Sequence, residues 1–421
     1  MSKKRLLMVT TSFPYGHGES FVEAELAHVA DRFETVTLAP CFFESGKPPR
    51  VVSHRVELAY ATARWGAARI MHVAASFFSA LSRYQWLGEA AHVLKNPHRA
   101  ENIKELVRCL YRARMFEQFL AHQHALGHSF DMIYFYWIVP EIAGALAFRR
   151  RTELPHSMAV VSRAHGGDLY EERRLGGYAG LTTSIIGGLD AIYCISQHGK
   201  TYLDLKYPAL ADRFHLSRLG VDDPGFISPQ PAGEVLSILS VSFMVPGKRL
   251  HRIIEAIDFM LTTHPGLKVR WTHIGDGDLS DQLHALTRQL FIGRQVEVDF
   301  KGYMRQPDIV ALYRHAGFDV IVNVSDTEGI PVSLMEASSV GIPMVATDVG
   351  GSGEIVNAFN GVLIDENASA ESIAEALIRF HDRENAMQYR VRARAYWDDH
   401  FNAKSNYRQF GLALLRCMEQ P

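Results

Sequence analysis

Two glutamates, a lysine–arginine pair and one histidine are the residues whose types and settings could do chemistry in this chain. Glu328 and Glu336 lie in the run Glu-Gly-Ile-Pro-Val-Ser-Leu-Met-Glu-Ala. Pro331 suits the first turn of a helix, because the N–H it lacks would have no partner there. The segment Asp319–Val356 therefore reads as strand, loop, helix (Val332–Val340), stop at Gly341, strand and glycine-rich loop Gly350-Gly351-Ser352-Gly353-Glu354. A loop that meets a helix N-terminus at the carboxyl edge of a parallel sheet presents free N–H groups to a phosphate. Gly329 lets the backbone approach a ligand. Glu328 in the loop could meet a sugar, while Glu336, about two turns further, could accept from a diol such as ribose. The plainer reading is two surface glutamates on an amphipathic segment. Their place between two buried strands favours function.

Lys248 and Arg249 stand just before an expected helix, Leu250–Leu261. The macrodipole disfavours cations at a helix start, so two in succession suggest a compensating anion; a solvated helix start is the alternative. A lysine there could neutralise a diphosphate, and an arginine could grip one with two nitrogens. His165 follows an expected strand, Met158–Ser162, in the setting Ala-His-Gly-Gly-Asp. Most strand-end histidines are structural, but these glycines favour a site, with Asp168 as the cap of a helix expected over Leu169–Arg174. Gly16 and Gly18 lie in the loop after the first strand. They are too few for a dinucleotide fingerprint, which argues against a nicotinamide-dependent oxidoreductase.

The elements that must position these residues are legible as short apolar runs. Leu6–Thr10, Thr35–Ala39, Met132–Tyr136, Met158–Ser162 and Ala191–Ile195 form one series. Leu236–Val241, Val269–Ile274, Val296–Phe300, Val320–Val324, Pro343–Thr347 and Gly361–Ile364 form a second. Helical patterns separate them, which predicts an α/β chain with parallel sheets covered on both faces. Glycines and prolines gather between Gly220 and Gly233, so the predicted boundary is near Gly220: domains 1–219 and 220–396, then a helical segment 397–421. The stretch from about 61 to 126 reads as a helical insertion with arginines interleaved. It is either a basic surface for anionic lipid or a helical pair packed on the first domain, and the second is favoured because amphipathic helices ordinarily build cores.

The chain has 421 residues, is 47% hydrophobic and carries a formal net charge of −2. That length suits two domains of about 200 residues each. The charge gives no field for nucleic acid. The four cysteines form no Cys-x-x-Cys pair and read as free thiols. The apolar run after Met-Ser-Lys-Lys-Arg is shorter than the roughly 7–15 residues of a signal core. No run approaches the ~20 residues of a membrane span, so a cytoplasmic protein is expected.

These residues together resemble the family 4 retaining glycosyltransferases of bacterial exopolysaccharide and lipopolysaccharide biosynthesis. The run from Glu328 to Glu336 is similar to their E-x7-E signature. Ala164–Tyr170 resembles their histidine loop, and Val245-Pro246-Gly247-Lys248 their V-P-x-K segment. Ile274–Gly277, Phe300–Tyr303 and Gly350–Val356 resemble the flanking loops. The resemblance implies a GT-B fold, two Rossmann-like domains facing each other across a cleft, with the terminal helix crossing back to the first domain. It implies that Glu336 holds the ribose, Glu328 sits beside the sugar, and Lys248 meets the diphosphate. Amides from Gly329 and Ile330 through Pro331, Val332 and Ser333 would face sugar and phosphates. His165 would lie near the reacting carbon. Gly275 and the loop Gly302, Tyr303 and Met304 would hold the base, and the Gly16–Gly18 loop would face the cleft.

The implied activity is transfer from a UDP- or GDP-sugar to a glycan or lipid-linked acceptor, without cofactor or required metal, with a peripheral contact to the inner membrane face. Many members carry an arginine where Phe243 stands here, and Arg249 is the candidate replacement. A GT-B phosphorylase or epimerase, and an idle nucleotide-sugar-binding partner protein, are the competing readings.

Overall fold

The computed structural model describes residues 4–15, 19–42, 50, 56–58, 89, 93–152, 158–231 and 233–419. The chain divides into two compact units, Met1–Ser217 with Tyr407–Pro421, and Arg218–Asn406.

The first unit is built on seven parallel strands: β1 (Arg5–Thr10), β2 (Thr35–Pro40), β3 (Val56–Leu58), β4 (Met132–Phe135), β5 (Ala159–Ala164), β6 (Ala191–Cys194) and β7 (Phe214–Leu216). Their order is β3-β2-β1-β4-β5-β6-β7. Leu6, Leu7, Met8 and Val9 are all buried, so β1 is covered on both faces as its unbroken apolar run predicts. Strands β3 and β7 escape sequence reading, because three residues carry no measurable period.

Among the helices of this unit that carry paired charges are α1 (Ser20–Val29), α2 (Arg99–Ala125) and α3 (Glu141–Arg151). Helix α2 buries Leu106, Leu110, Ala113, Phe116 and Leu120. Three of its four arginines are matched by carboxylates of the protein. Arg112 forks onto Glu141 with two bonds of 2.8 Å, Arg108 pairs with Glu105 at 2.6 Å, and Arg114 pairs with Glu117 at 2.8 Å. This helix is a core builder with three of its arginines paired, while Arg99 and Lys104 are exposed. Residues 61–88, the other part of the expected insertion, lie outside the described residues.

The second unit carries six parallel strands: β8 (Val235–Val241), β9 (Lys268–Ile274), β10 (Val296–Phe300), β11 (Val320–Asn323), β12 (Met344–Thr347) and β13 (Gly361–Ile364). All six expected runs are strands, in the order β10-β9-β8-β11-β12-β13. In both sheets the order reverses beside the first strand, between β1 and β4 and between β8 and β11. Loops leaving the carboxyl ends of those neighbours diverge, and ligands of open α/β sheets bind where they part.

The end of the chain is not one helix from Trp397 to Met418. One helix ends at His400 and the next runs Ala403–Cys417. The break is pinned by Val221, whose N–H donates to Phe401 O at 2.9 Å and whose carbonyl accepts from Ala403 N at 3.1 Å. From Tyr407 onward the last helix belongs to the first unit. There Phe410 lies under the Arg163 guanidinium at 4.0 Å. Arg163 is fully buried and pairs with Glu25 of α1 at 2.8 Å. Tyr134 donates to the same carboxylate at 2.6 Å, and Arg163 donates to Ser217 O at 2.8 Å. Burial still pushes the Glu25 carboxyl up, against the pull of Arg163. Among the described residues no helix is long and apolar enough to cross a membrane.

A buried pair of this kind is costly to break and cheap to replace whole. Arg163→Ala should therefore lose about 3–5 kcal/mol in urea unfolding by stranding Glu25. The double change Arg163→Met with Glu25→Leu should lose clearly less than the single one.

Candidate active site

The switch point of the second unit brings two loops together. One leaves β8 and carries Lys248 and Arg249. The other leaves β11 and carries Glu328, ahead of a helix over Val332–Ser339. The loops are laced by backbone: Asp326 N donates to Gly247 O at 2.9 Å. Lys248 Nζ lies 2.6 Å from Glu328 Oε1. The same oxygen accepts from Ser325 Oγ at 2.7 Å and Asn323 Nδ2 at 3.0 Å. All three donors fall on Oε1, and no hydrogen bond to Oε2 is made among the described residues. The anion compensating Lys248 is thus a carboxylate of the protein.

Arg249 behaves differently from its neighbour. Its backbone is left-handed, with φ of 47°. Its Nε donates to Val324 O at 2.7 Å and its Nη2 to Ser325 O at 2.8 Å. The guanidinium therefore pins the end of β11, and its charge is directed at carbonyls. Phe243, where relatives in the resembled family carry arginine, is 65% exposed and so does not serve the core.

The floor of the site requires glycine at two places. A Cβ on Gly350, at φ of 54°, would fall 1.9 Å from Glu328 O; one on Gly275, at φ of 137°, would fall 1.9 Å from Ser242 O. Gly351 N donates to Gly329 O at 3.0 Å and Gly275 N to Gly302 O at 2.9 Å. The expected residues Gly275, Gly302, Tyr303 and Met304 thus lie on loops tied together after β9 and β10. Tyr303 is half exposed. Ile330 and Pro331 are buried at the helix entrance, where the first-turn amides of Val332 and Ser333 have no intrahelical acceptor.

Glu336 sits on the same helix, half-buried, with no hydrogen bond to its carboxylate among the described residues. Burial pushes its pKa up to about 7. It also faces Tyr313, whose hydroxyl is buried without a partner and whose pKa is raised by burial first and by Glu336 second.

His165 belongs to the first unit. It follows β5 directly, and a four-residue turn, Gly166–Leu169, replaces the helix expected over Leu169–Arg174. Asp168 caps it by accepting from His165 N at 2.7 Å, and also ties it to β4 by accepting from Ile138 N at 2.8 Å. The imidazole is 5% exposed; among the described residues neither ring nitrogen makes a hydrogen bond, and Nδ1 lies 3.9 Å from Asp168 Oδ2. Trp137 lies against it at 4.1 Å and Tyr136 at 4.9 Å between ring centroids. Gly16 and Gly18 lie outside the described residues. Sequence reading misses Asn323 and Ser325, which hold Glu328, Trp137, whose ring lies against His165, and Glu19, which accepts from Trp137 Nε1. None of them carries a spacing signal.

The Glu336 carboxyl has an ordinary value of 4.5, which the unfolded chain adopts. Between that value and about 7 the folded state binds more protons, so stability falls as pH rises through this window. Glu336→Gln, which cannot ionise, should remove the slope. Relative to wild type it should gain about 1–2 kcal/mol at pH 8 and nothing near pH 4, in urea unfolding series, after allowing for the water that reaches this partly buried group.

The chain is similar in sequence and fold to known glycosyltransferases. Residues 228–396 match the family described as Glycosyl transferases group 1. A protein of Salmonella typhimurium named for glycosyl transfer in colanic acid biosynthesis is 31% identical over 214 residues, 48% of this chain and 51% of that protein. The amylovoran biosynthesis glycosyltransferase of Erwinia amylovora is 29% identical over 216 residues, 49% of this chain and 51% of that protein. The chain spans about half the length of these relatives. HepE of Anabaena, solved with UDP and with UDP-glucose, has the same fold. Its TM-scores are 0.66 and 0.64 at 16% identity, covering 98% of this chain and 100% and 99% of that one. The fold is GT-B, and residues 228–396, in the second unit, are similar to the group 1 glycosyl transferases.

Proposed function

We propose that the chain is a retaining glycosyltransferase that moves a sugar from a nucleotide-diphosphate sugar to a glycan or lipid-linked acceptor in cell-surface polysaccharide biosynthesis. The observation that carries this reading is the Lys248–Glu328 pair, 2.6 Å long, set beside the amide-lined helix start at the switch point of the second unit. The names of the curated relatives support the polysaccharide setting, and the UDP-glucose held by HepE supports the donor class.

In this reading the sugar–phosphate bond breaks through an oxocarbenium-like state, and the nucleoside diphosphate departs with the electron pair. Lys248 and the amides of Val332 and Ser333 meet the negative charge that grows there. The charge is met by the protein's own groups, so no metal is required. Glu328, its Oε1 already held by three donors, turns Oε2 to the sugar. Glu336 accepts from the ribose hydroxyls, which hydrogen-bond better to its ionised form. Gly275, Gly302, Tyr303 and Met304 frame the base. His165 is the first unit's candidate to act on the sugar or acceptor. A contact with the inner membrane face would be made by the helical stretch from about 61 to 126, in which Arg108, Arg112 and Arg114 already have carboxylate partners.

A thermal-shift series with UDP- and GDP-sugars tests donor binding. The right donor at about 100 times its Kd should add about 2.7 kcal/mol of apparent stability. Glu336→Gln should reduce that gain, most of all above pH 7. Glu328→Gln should bind the donor and lose transfer by about 100-fold or more; unchanged turnover would remove its assigned role. Transfer should persist in EDTA, and inorganic phosphate should not replace the acceptor, as it would for a phosphorylase.

A further inference from the structure

The switch point of the first unit holds an anion, and it is a side chain. Glu19 lies in the loop between β1 and α1 and is 9% exposed. Its Oε2 accepts from Ser12 N at 2.6 Å, Phe13 N at 2.7 Å and Ser12 Oγ at 3.2 Å. Its Oε1 accepts from Thr11 N at 3.1 Å and Trp137 Nε1 at 2.6 Å. Among the described residues no cation pairs with it. Three successive backbone amides therefore hold the charge, in the manner of a nest that binds phosphate. Glu19 adopts a left-handed backbone, φ 56°, to aim its carboxylate back into this loop. A residue other than glycine holds such a conformation only when its surroundings impose it.

The fifth donor links this knot to the candidate histidine. Trp137 leaves the carboxyl end of β4, gives its indole N–H to Glu19, and lays its ring 4.1 Å from the ring of His165. Asp168 holds the next residue, Ile138, and the His165 amide. Two carboxylates thus fix the backbone and the ring on either side of the imidazole, whose nitrogens make no hydrogen bond among the described residues, with Nδ1 3.9 Å from Asp168 Oδ2.

We propose that Glu19 is a positioning residue. Its carboxylate fills the amide nest where a doubly wound unit would otherwise take an anionic ligand, and through Trp137 it sets the plane of the His165 ring. The amides of Thr11, Ser12 and Phe13 are thereby closed to an anionic ligand. The inference rests on the role proposed for His165.

Glu19→Ala, Glu19→Gln, Trp137→Phe and His165→Ala separate the two. Turnover is read as nucleoside diphosphate release from UDP-glucose, UDP-galactose and GDP-mannose, using whichever wild type consumes. Glu19→Ala should lose about 10–100-fold in kcat, the cost of a misplaced group, with donor KM within about twofold, since the donor is held by the second unit. Formate should restore the rate saturably by entering the nest. The Trp137 indole N–H resonance, assigned with Trp137→Phe, should move upfield in Glu19→Ala and return with formate. Glu19→Gln should be slow and not rescued, because its amide fills the nest and turns a donor toward donors.

Full activity of Glu19→Ala, or a loss that formate leaves unrelieved while the indole signal returns, overturns the proposal. If His165→Ala transfers like wild type, the role of His165 falls instead. If His165→Ala is slow and Glu19→Ala is not, only the inference about Glu19 falls.

Discussion

The contact between Lys248 and Glu328 is the constraint on which the rest of the second unit depends. It joins loops from the two strands that flank the reversal of sheet order, and it does so with charge at 2.6 Å. A lysine at the start of a helix is electrostatically misplaced unless an anion faces it. Glu328 supplies that anion, and Asn323 and Ser325 hold Glu328 in turn. Arg249 then pins the carbonyls of Val324 and Ser325, and Thr347 Oγ1 donates to the same Ser325 carbonyl at 2.6 Å. The loop after β11 is thereby fixed from three strands at once. Such rigidity is what an electrostatic site needs, because donors that need not reorganise stabilise developing charge best.

The first unit solves the same topological problem with the opposite sign. Its reversal lies between β1 and β4, and the unpaired amides of the β1 loop are satisfied by Glu19. Deeper in the unit, Arg163 and Glu25 bury a full ion pair against Phe410 of the last helix. An apolar core would hold that helix equally well, since burying two charges costs several kcal/mol per ion before they attract one another. What the pair adds is selectivity. Only a helix that places an aromatic face over the guanidinium, with Tyr134 and Ser217 completing its partners, leaves neither charge stranded.

The sequence carried the fold further than it carried the site. The inner strands of the second sheet show as largely apolar runs, because parallel strands covered on both faces are mostly buried; the edge strand β10 alternates Glu297 and Asp299 with Val296, Val298 and Phe300 and is legible by that period instead. Strands β3 and β7 are too short for that signal. The terminal helix reads as continuous because the break at Phe401 and Asn402 is made by a long-range contact with Val221, which no local pattern records. For the site, Glu328 and Lys248 are legible by residue type and setting. Their direct contact is not, because it depends on β8 and β11 being neighbours. Glu19 is the clearest omission: an acid at the end of a glycine-bearing loop looks like an ordinary helix start until its carboxylate is seen to turn back on Thr11, Ser12 and Phe13.

The charges of the second unit also bear on how a donor would be held there. Lys248 and Glu328 sum to zero, and Arg249 has committed Nε and Nη2 to carbonyls. Phe243 offers no charge. A diphosphate entering this site would meet one shared ammonium and a row of amides, a weaker field than two free cations would give. Under the proposed function, ground-state affinity must then come largely from the base loop and from Glu336, both remote from the reacting bond. That division is favourable for catalysis. Lys248 can lean toward the phosphate as its charge grows, while Glu328, relieved of part of its partner, becomes more negative beside the sugar as the ring turns positive. An interaction that strengthens only along the reaction raises the rate rather than the affinity.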